Sequence, residues 1–156
     1  MNSALMFSKA SDEWATPQDF YDKLDAEFRF VVDAAATQDN KKRPLYYGID
    51  DGLGCIGDAL TQPWCTDGAH WMNPPYSRCR EFIAKAAEER HKGVLTVALV
   101  PARTDTRWFH EHLYHADALG WAPRTGIELR FIRGRLKFGD GKNSAPFPSM
   151  VVVFRP

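Results

Sequence analysis

The strongest constraint on this chain is a recurring order: a short apolar run, a polar or small residue that ends it, and then a stretch of helical periodicity. Phe30-Val31-Val32-Asp33-Ala34-Ala35-Ala36 reads as a buried strand emptying into a tight loop, because an acid and small residues follow the β-branched run. Residues 69–72 lead as a strand into Asn73-Pro74-Pro75-Tyr76, and residues 94–100 form another that stops at Pro101. Helices fit between them. Phe20, Leu24 and Phe28 recur at helical spacing within 17–28, with Thr16 placed to cap that helix and Pro17 to fill its first position. Residues 80–90, rich in Ala and Glu, and residues 106–113 give two more. Residues 44–48 are a weaker strand, while 127–132 and 150–154 are the last strands, joined through Arg135-Leu136-Lys137-Phe138 and a Gly/Asn/Pro-rich loop over 139–148.

Strands and helices in this alternation predict an α/β domain with a mainly parallel sheet and antiparallel C-terminal strands. Ligands in such sheets bind beyond the carboxyl ends of the strands. Asp33, Asp51, Asn73 and Pro101 each follow a predicted strand, so one crevice can gather them.

A length of 156 residues suits one domain, here 12–156, preceded by an arm over 1–11 that shows no periodicity. Lys plus Arg equals Asp plus Glu at 20 each, so attraction to a polyanion must come from uneven placement. The C-terminal third is basic: Arg103, Arg107, Arg124, Arg130, Arg133, Arg135, Lys137, Lys142 and Arg155 outnumber the acids there. Three cysteines without a C-x-x-C pair, no basic-then-apolar leader and no membrane-length apolar run lead us to expect a reducing cytoplasm and no membrane.

Asn73-Pro74-Pro75-Tyr76 carries the chemistry. Two prolines fix two φ angles, supply no backbone donors and hold Asn73 extended. The Pro74 carbonyl can then sit beside the Asn73 side-chain oxygen, presenting two acceptors together. An exocyclic aromatic amine is a poor nucleophile because its lone pair is delocalised into the ring. Acceptors on both of its N–H groups favour the pyramidal, reactive nitrogen without a strong base. Tyr76 adds a flat face on which an extruded base can stack.

With those residues in view, the chain resembles the small phage-type DNA N6-adenine methyltransferases. The matching segments are Asp12-Glu13-Trp14-Ala15-Thr16-Pro17, Val32-Asp33-Ala34-Ala35, Asp58-Ala59-Leu60-Thr61-Gln62-Pro63-Trp64, Asn73-Pro74-Pro75-Tyr76-Ser77, Leu99-Val100-Pro101-Ala102-Arg103-Thr104-Asp105-Thr106, and Gly134-Arg135-Leu136-Lys137-Phe138 through Ala145-Pro146-Phe147-Pro148-Ser149. The resemblance implies a Rossmann-like class I methyltransferase fold and methyl transfer from S-adenosylmethionine to the adenine amine of DNA, with no metal. It implies that Thr16 and Pro17 border the cofactor, and that Asp33 and Ala34 stand in the loop holding its methionine end, here without the usual glycines. Asp51 and Asp58 would meet the ribose hydroxyls and the adenine amino group, either aspartate in either role.

Arg103 and Arg107, beyond the strand that ends at Pro101, and Lys142 and Asn143, in the C-terminal loop, are the expected DNA contacts. His110, His112 and His115 lack acidic or cysteine partners in metal-ligand spacing, and Cys55, Cys65, His70 and Cys79 are too irregular for a zinc site. The same two-acceptor loop would also suit cytosine N4 or a protein glutamine. A catalytically inactive DNA-binding or anti-restriction shell is the rival of a different class. With no separate recognition domain evident, modest sequence specificity is expected.

Overall fold

The computed structural model describes residues 15–49, 56–118, 120–139 and 144–156. The expected arm at 1–11 and the residues Asp51, Lys142 and Asn143 lie outside them.

Each predicted strand forms. A seven-stranded sheet runs in the order β3-β2-β1-β4-β5-β9-β8. Its members are β1 (Phe30–Ala36), β2 (Leu45–Gly48), β3 (Gly57–Asp58), β4 (Ala69–Met72), β5 (Thr96–Pro101), β8 (Ile127–Phe131) and β9 (Ser149–Phe154). Strands β3, β2, β1, β4 and β5 pair in parallel, and β9 pairs antiparallel with both β5 and β8. From β1 the chain moves outward through β2 and β3, then returns to place β4 on the other flank of β1. The order therefore reverses between β1 and β4, and the two connections leave a crevice at the carboxyl ends of those strands.

Alternation along the central strands builds two cores. Ala98 and Val100 of β5 and Met150, Val152 and Phe154 of β9 pack with Phe82, Ile83 and Ala86 of α2 (Cys79–Arg90) and Trp108 and Phe109 of α3 (Arg107–His112). Val97, Leu99, Val151 and Val153 face the other way, onto Tyr21 and Leu24 of α1 (Gln18–Phe28) and onto Phe138, Ala145 and Phe147. Strands buried on both faces are what a helix-covered parallel sheet requires, which is why residues 94–100 carry no polar alternation. Among the described residues no helix is long and apolar enough to cross a membrane.

Three local outcomes differ from the expectations. Thr16 does not cap α1: Pro17 is the N-cap residue, no side chain caps it, and the threonine hydroxyl bonds elsewhere. Strand β1 does not end at Asp33 but continues through Ala36, which moves the loop to Thr37. Finally, β6 (Tyr114–Asp117) and β7 (Gly120–Pro123) form a separate hairpin where the sequence shows no period-2 alternation.

Helix α1 ends on Arg29 in the left-handed region at φ 55°, unusual without glycine. Asp25 compensates. Its carbonyl accepts the Arg29 N–H at 2.8 Å and its carboxylate the Phe30 N–H at 2.8 Å, so the helix passes directly into β1.

Glu89 of α2 is fully buried yet charged, and it secures the connection that delivers β4. Its carboxylate accepts from Lys85 Nζ at 2.7 Å, from Lys92 Nζ at 3.3 Å and from the Trp64 backbone N–H at 3.3 Å. Trp64 in turn stacks on His70 of β4, with ring centroids 5.7 Å apart. Removing the carboxylate leaves the Lys85 side chain, only 11% exposed, without its partner and frees Trp64. Glu89→Ala should therefore cost about 3 kcal/mol in urea unfolding, whereas an unchanged midpoint would mean the buried pair contributes nothing.

Candidate active site

Strands β1 and β4 set the site. Asp33 lies in register with Trp71, so Asn73, the first residue beyond β4, sits at the carboxyl end of the strand next to β1. A narrow cleft opens there, lined by Ala15, Thr16, Asp33, Ala35, Asn40, Lys42, Ile49, Trp71, Asn73, Pro74 and Pro75. Of the residues singled out in the sequence, Thr16, Asp33, Asn73, Pro74 and Pro75 come together in this one crevice. Ala34 does not. Its side chain packs in the hydrophobic core, since neighbours on a strand point to opposite faces. Pro17 faces an adjoining groove between the start of α1 and residues 135–139.

The threonine freed from capping holds the asparagine. Asn73 Nδ2 donates to Thr16 Oγ1 at 2.9 Å, a bond between residues 57 apart in sequence. This bond assigns the donor end of the amide to Thr16, so any bond the side chain makes to an incoming amine is through Oδ1. Pro74 and Pro75 are buried, and Pro75 leads into a single 3-10 turn over Tyr76–Arg78. Tyr76 meets the edge of Phe147, with centroids 4.7 Å apart and planes at 90°. Burial pushes its phenol well above the usual range, so the hydroxyl stays protonated. Phe147 comes from the far C-terminal connection, and only the folded chain reveals its partnership with Tyr76.

Asp33 is buried at 2% exposure. One carboxylate oxygen accepts the Ala35 N–H at 3.2 Å and the other the Lys42 N–H at 2.9 Å. Burial raises its pKa to about 6, against the opposing pull of those two amides and of the Lys42 charge. Lys42 reaches back across the crevice, donating to the Thr16 carbonyl at 3.0 Å and to Gln18 Oε1 at 2.9 Å. Its own pKa is lowered by burial, against the nearby charges of Asp33 and Asp22.

The turn after β1 explains how this loop dispenses with glycine. Thr37 N–H donates to Asn40 Oδ1 at 2.7 Å while Asn40 N–H donates to Thr37 Oγ1 at 3.3 Å, a reciprocal pair that closes the turn through side chains. No residue in 37–42 has a positive φ, so nothing there needs the freedom of glycine.

The remaining predicted residues are more peripheral. Asp58 ends β3, where one carboxylate oxygen accepts from the Leu60 and Thr61 amides at 2.9 and 3.0 Å. Arg103 is exposed just past β5, close enough for its charge to act on Tyr76 and Cys79. Arg107 opens α3 with its guanidinium 3.9 Å from Glu111. Lys42 and Asn40 are polar cleft residues that the sequence did not disclose. The available signal was a strand acid predicted to be buried, which needs donors from the loop that follows.

The sequence comparisons can be set on this geometry. Residues 4–156 match the family described as DNA N-6-adenine-methyltransferase (Dam). The chain belongs to this family. It is similar to the DNA N-6-adenine-methyltransferase of Escherichia phage T1, with 31% identity over 158 residues covering 92% of this chain and 63% of that protein. It is also similar to the DNA N-6-adenine-methyltransferase of Haemophilus phage HP1, with 27% identity over 155 residues covering 96% of this chain and 83% of that one. The chain thus spans somewhat less than two thirds of the T1 relative's length.

The folded pKa of Asp33 lies above its ordinary 3.8. Its contribution to stability is therefore fully present below pH 3.8 and is lost as pH rises through about 6. The stability lost in Asp33→Asn should accordingly be about 2 kcal/mol larger at pH 4.5 than at pH 7.5 in paired urea titrations. An equal loss at both pH values would contradict the raised pKa.

Proposed function

We propose that this Dam-family chain methylates the N6 amine of adenine in DNA, using S-adenosylmethionine as methyl donor in the crevice between β1 and β4. The observation that carries this is the Thr16-held amide of Asn73, set beside two prolines and opposite a buried acid at the point where strand order reverses. The sheet order, with one strand antiparallel to its neighbours near the edge, supports a Rossmann-like class I methyltransferase fold.

The residues fit the donor. A carboxylate and an ammonium line the cleft together, as a dipolar ligand requires. Asp58 is in register with Gly48, and Gly48 with Ala36, so Asp58 stands two strand spacings from β1, roughly 10 Å along the sheet edge. That separation suits contact with the adenosine end of the ligand. We assign Asp51 and Asp58 to the ribose and adenine, and Thr16 and Pro17 to the cofactor's border.

When bound, the donor supplies an electrophilic methyl group on a sulfonium. The chain supplies orientation. Asn73 Oδ1 and the Pro74 carbonyl accept the two amine N–H groups of an adenine stacked on Tyr76, which localises the lone pair on nitrogen and aims it. No general base is required, because the nitrogen becomes strongly acidic once it bears the methyl group and yields its proton to water. Arg103 and Arg107, with Lys142 and Asn143, are assigned to the flanking phosphates of the DNA.

Asn73→Ala should keep cofactor affinity but lose at least about a hundredfold in methyl transfer, as expected for one acceptor at the reacting centre. Thr16→Val should retain the fold and lower transfer about tenfold by freeing the amide, whereas Thr16→Ser should be near wild type. Labelled-methyl incorporation into unmethylated DNA measures all three. Wild-type rates in Asn73→Ala would sink the mechanism.

A further inference from the structure

The groove between the start of α1 and residues 135–139 carries an excess of positive charge that the methyl-transfer site does not use. Lys23, Arg135 and Lys137 line it against a single acid, Asp19, in a chain whose formal charges otherwise balance. All three cations are exposed, and among the described residues none is paired with a carboxylate. Further along the same helix the chain does neutralise its cations: Glu27 takes Arg130 through two bonds, at 2.6 and 2.7 Å. The floor of the groove is apolar, since Phe20 and Leu136 sit half-buried against the core beneath it. Two links join the groove to the crevice. Ala15, which lines the crevice, accepts the Gly139 N–H of the groove wall at 3.2 Å, and Lys42 of the crevice donates to Gln18 of the groove at 2.9 Å.

We infer that this groove holds the sugar-phosphate backbone of the substrate DNA beside the target adenine, with Lys23, Arg135 and Lys137 as its phosphate contacts. This rests on the reading of DNA as the substrate and adds a surface that grips it. A nucleic-acid strand alternates charged phosphates with less polar sugars, which matches a cationic rim over an apolar floor. Mutual repulsion among the three cations is relieved when a polyanion lies between them. Helix α3, which Arg107 opens, covers the opposite face of the sheet from α1. DNA held at Arg103 and Arg107 on one face and at the groove on the other therefore straddles the carboxyl edge of the sheet, with the crevice between the two grips. The groove thus fixes the position of the duplex without reading its sequence.

Fluorescence anisotropy with a labelled, adenine-containing duplex, repeated over a series of salt concentrations, tests this. Each phosphate neutralised contributes about 0.9 to the slope of log affinity against log salt, a quantity that a purely structural role does not move. The triple variant Lys23→Gln, Arg135→Gln, Lys137→Gln should flatten that slope by about 2 to 3 and weaken binding at least about tenfold at low salt. Its affinity for S-adenosylmethionine should stay within about twofold of wild type, which also reports that it is folded. Asp19→Asn removes the one acid of the groove and should tighten DNA binding about twofold to threefold, so the inference stays testable if the triple variant fails to fold. A wild-type slope and affinity in the folded triple variant overturn it, as does unchanged DNA affinity in Asp19→Asn. If the wild-type protein binds no DNA at any salt, the reading of DNA as substrate falls and the groove with it; if wild type and triple variant bind alike, the groove alone falls.

Discussion

A single hydrogen bond, from Asn73 Nδ2 to Thr16 Oγ1 at 2.9 Å, closes the crevice on which the site depends. It joins the segment entering α1 to the carboxyl end of β4. Parallel connections on opposite sides of β1 create the opening. This bond, with Lys42 on the Thr16 carbonyl, decides which polar atoms face into it. Thr16 is 5% exposed, so water competes weakly for its hydroxyl and the amide orientation is well defined. Preorganisation of this kind is what acceptor-based catalysis needs, because a group that must reorient during reaction contributes far less.

The loop after β1 solves the same problem with different residues. Glycine-rich turns let a backbone approach a ligand by removing side chains. Here small residues Ala34, Ala35 and Ala36 extend the strand, and Thr37 and Asn40 staple the turn that follows. The backbone stays in ordinary regions, and the amides of Ala35 and Lys42 turn inward to the Asp33 carboxylate. Loss of glycine therefore does not imply loss of the site. It trades backbone freedom for side-chain hydrogen bonds.

Much of this was legible before the fold was known. The buried strands announce themselves through unbroken apolar runs, and Asn73 could be placed just beyond β4 from local pattern alone, whereas Asp33, expected after a strand, lies within β1. The less legible features depended on contacts between distant segments. Thr16 has the residue type and position of a helix cap, but its better partner lies 57 residues away. Lys42 looks like a solvated charge in a Lys-Lys pair until Asp33 draws its backbone inward. Phe147 gains its place against Tyr76 only when β9 returns antiparallel beside β5. The β6–β7 hairpin, with Trp121 exposed at 77%, carries no alternation because neither face is fully buried.

One crevice is asked to do two things: bind the methyl donor and aim the accepting amine. A crystal structure of the chain with S-adenosylhomocysteine tests this most directly. Its amino-acid end should lie between Asp33 and Lys42 and its sulfur should face Asn73, with the Thr16–Asn73 bond intact. Ligand density in the groove along α1, or in the crevice with its sulfur turned away from Asn73, would contradict the shared site.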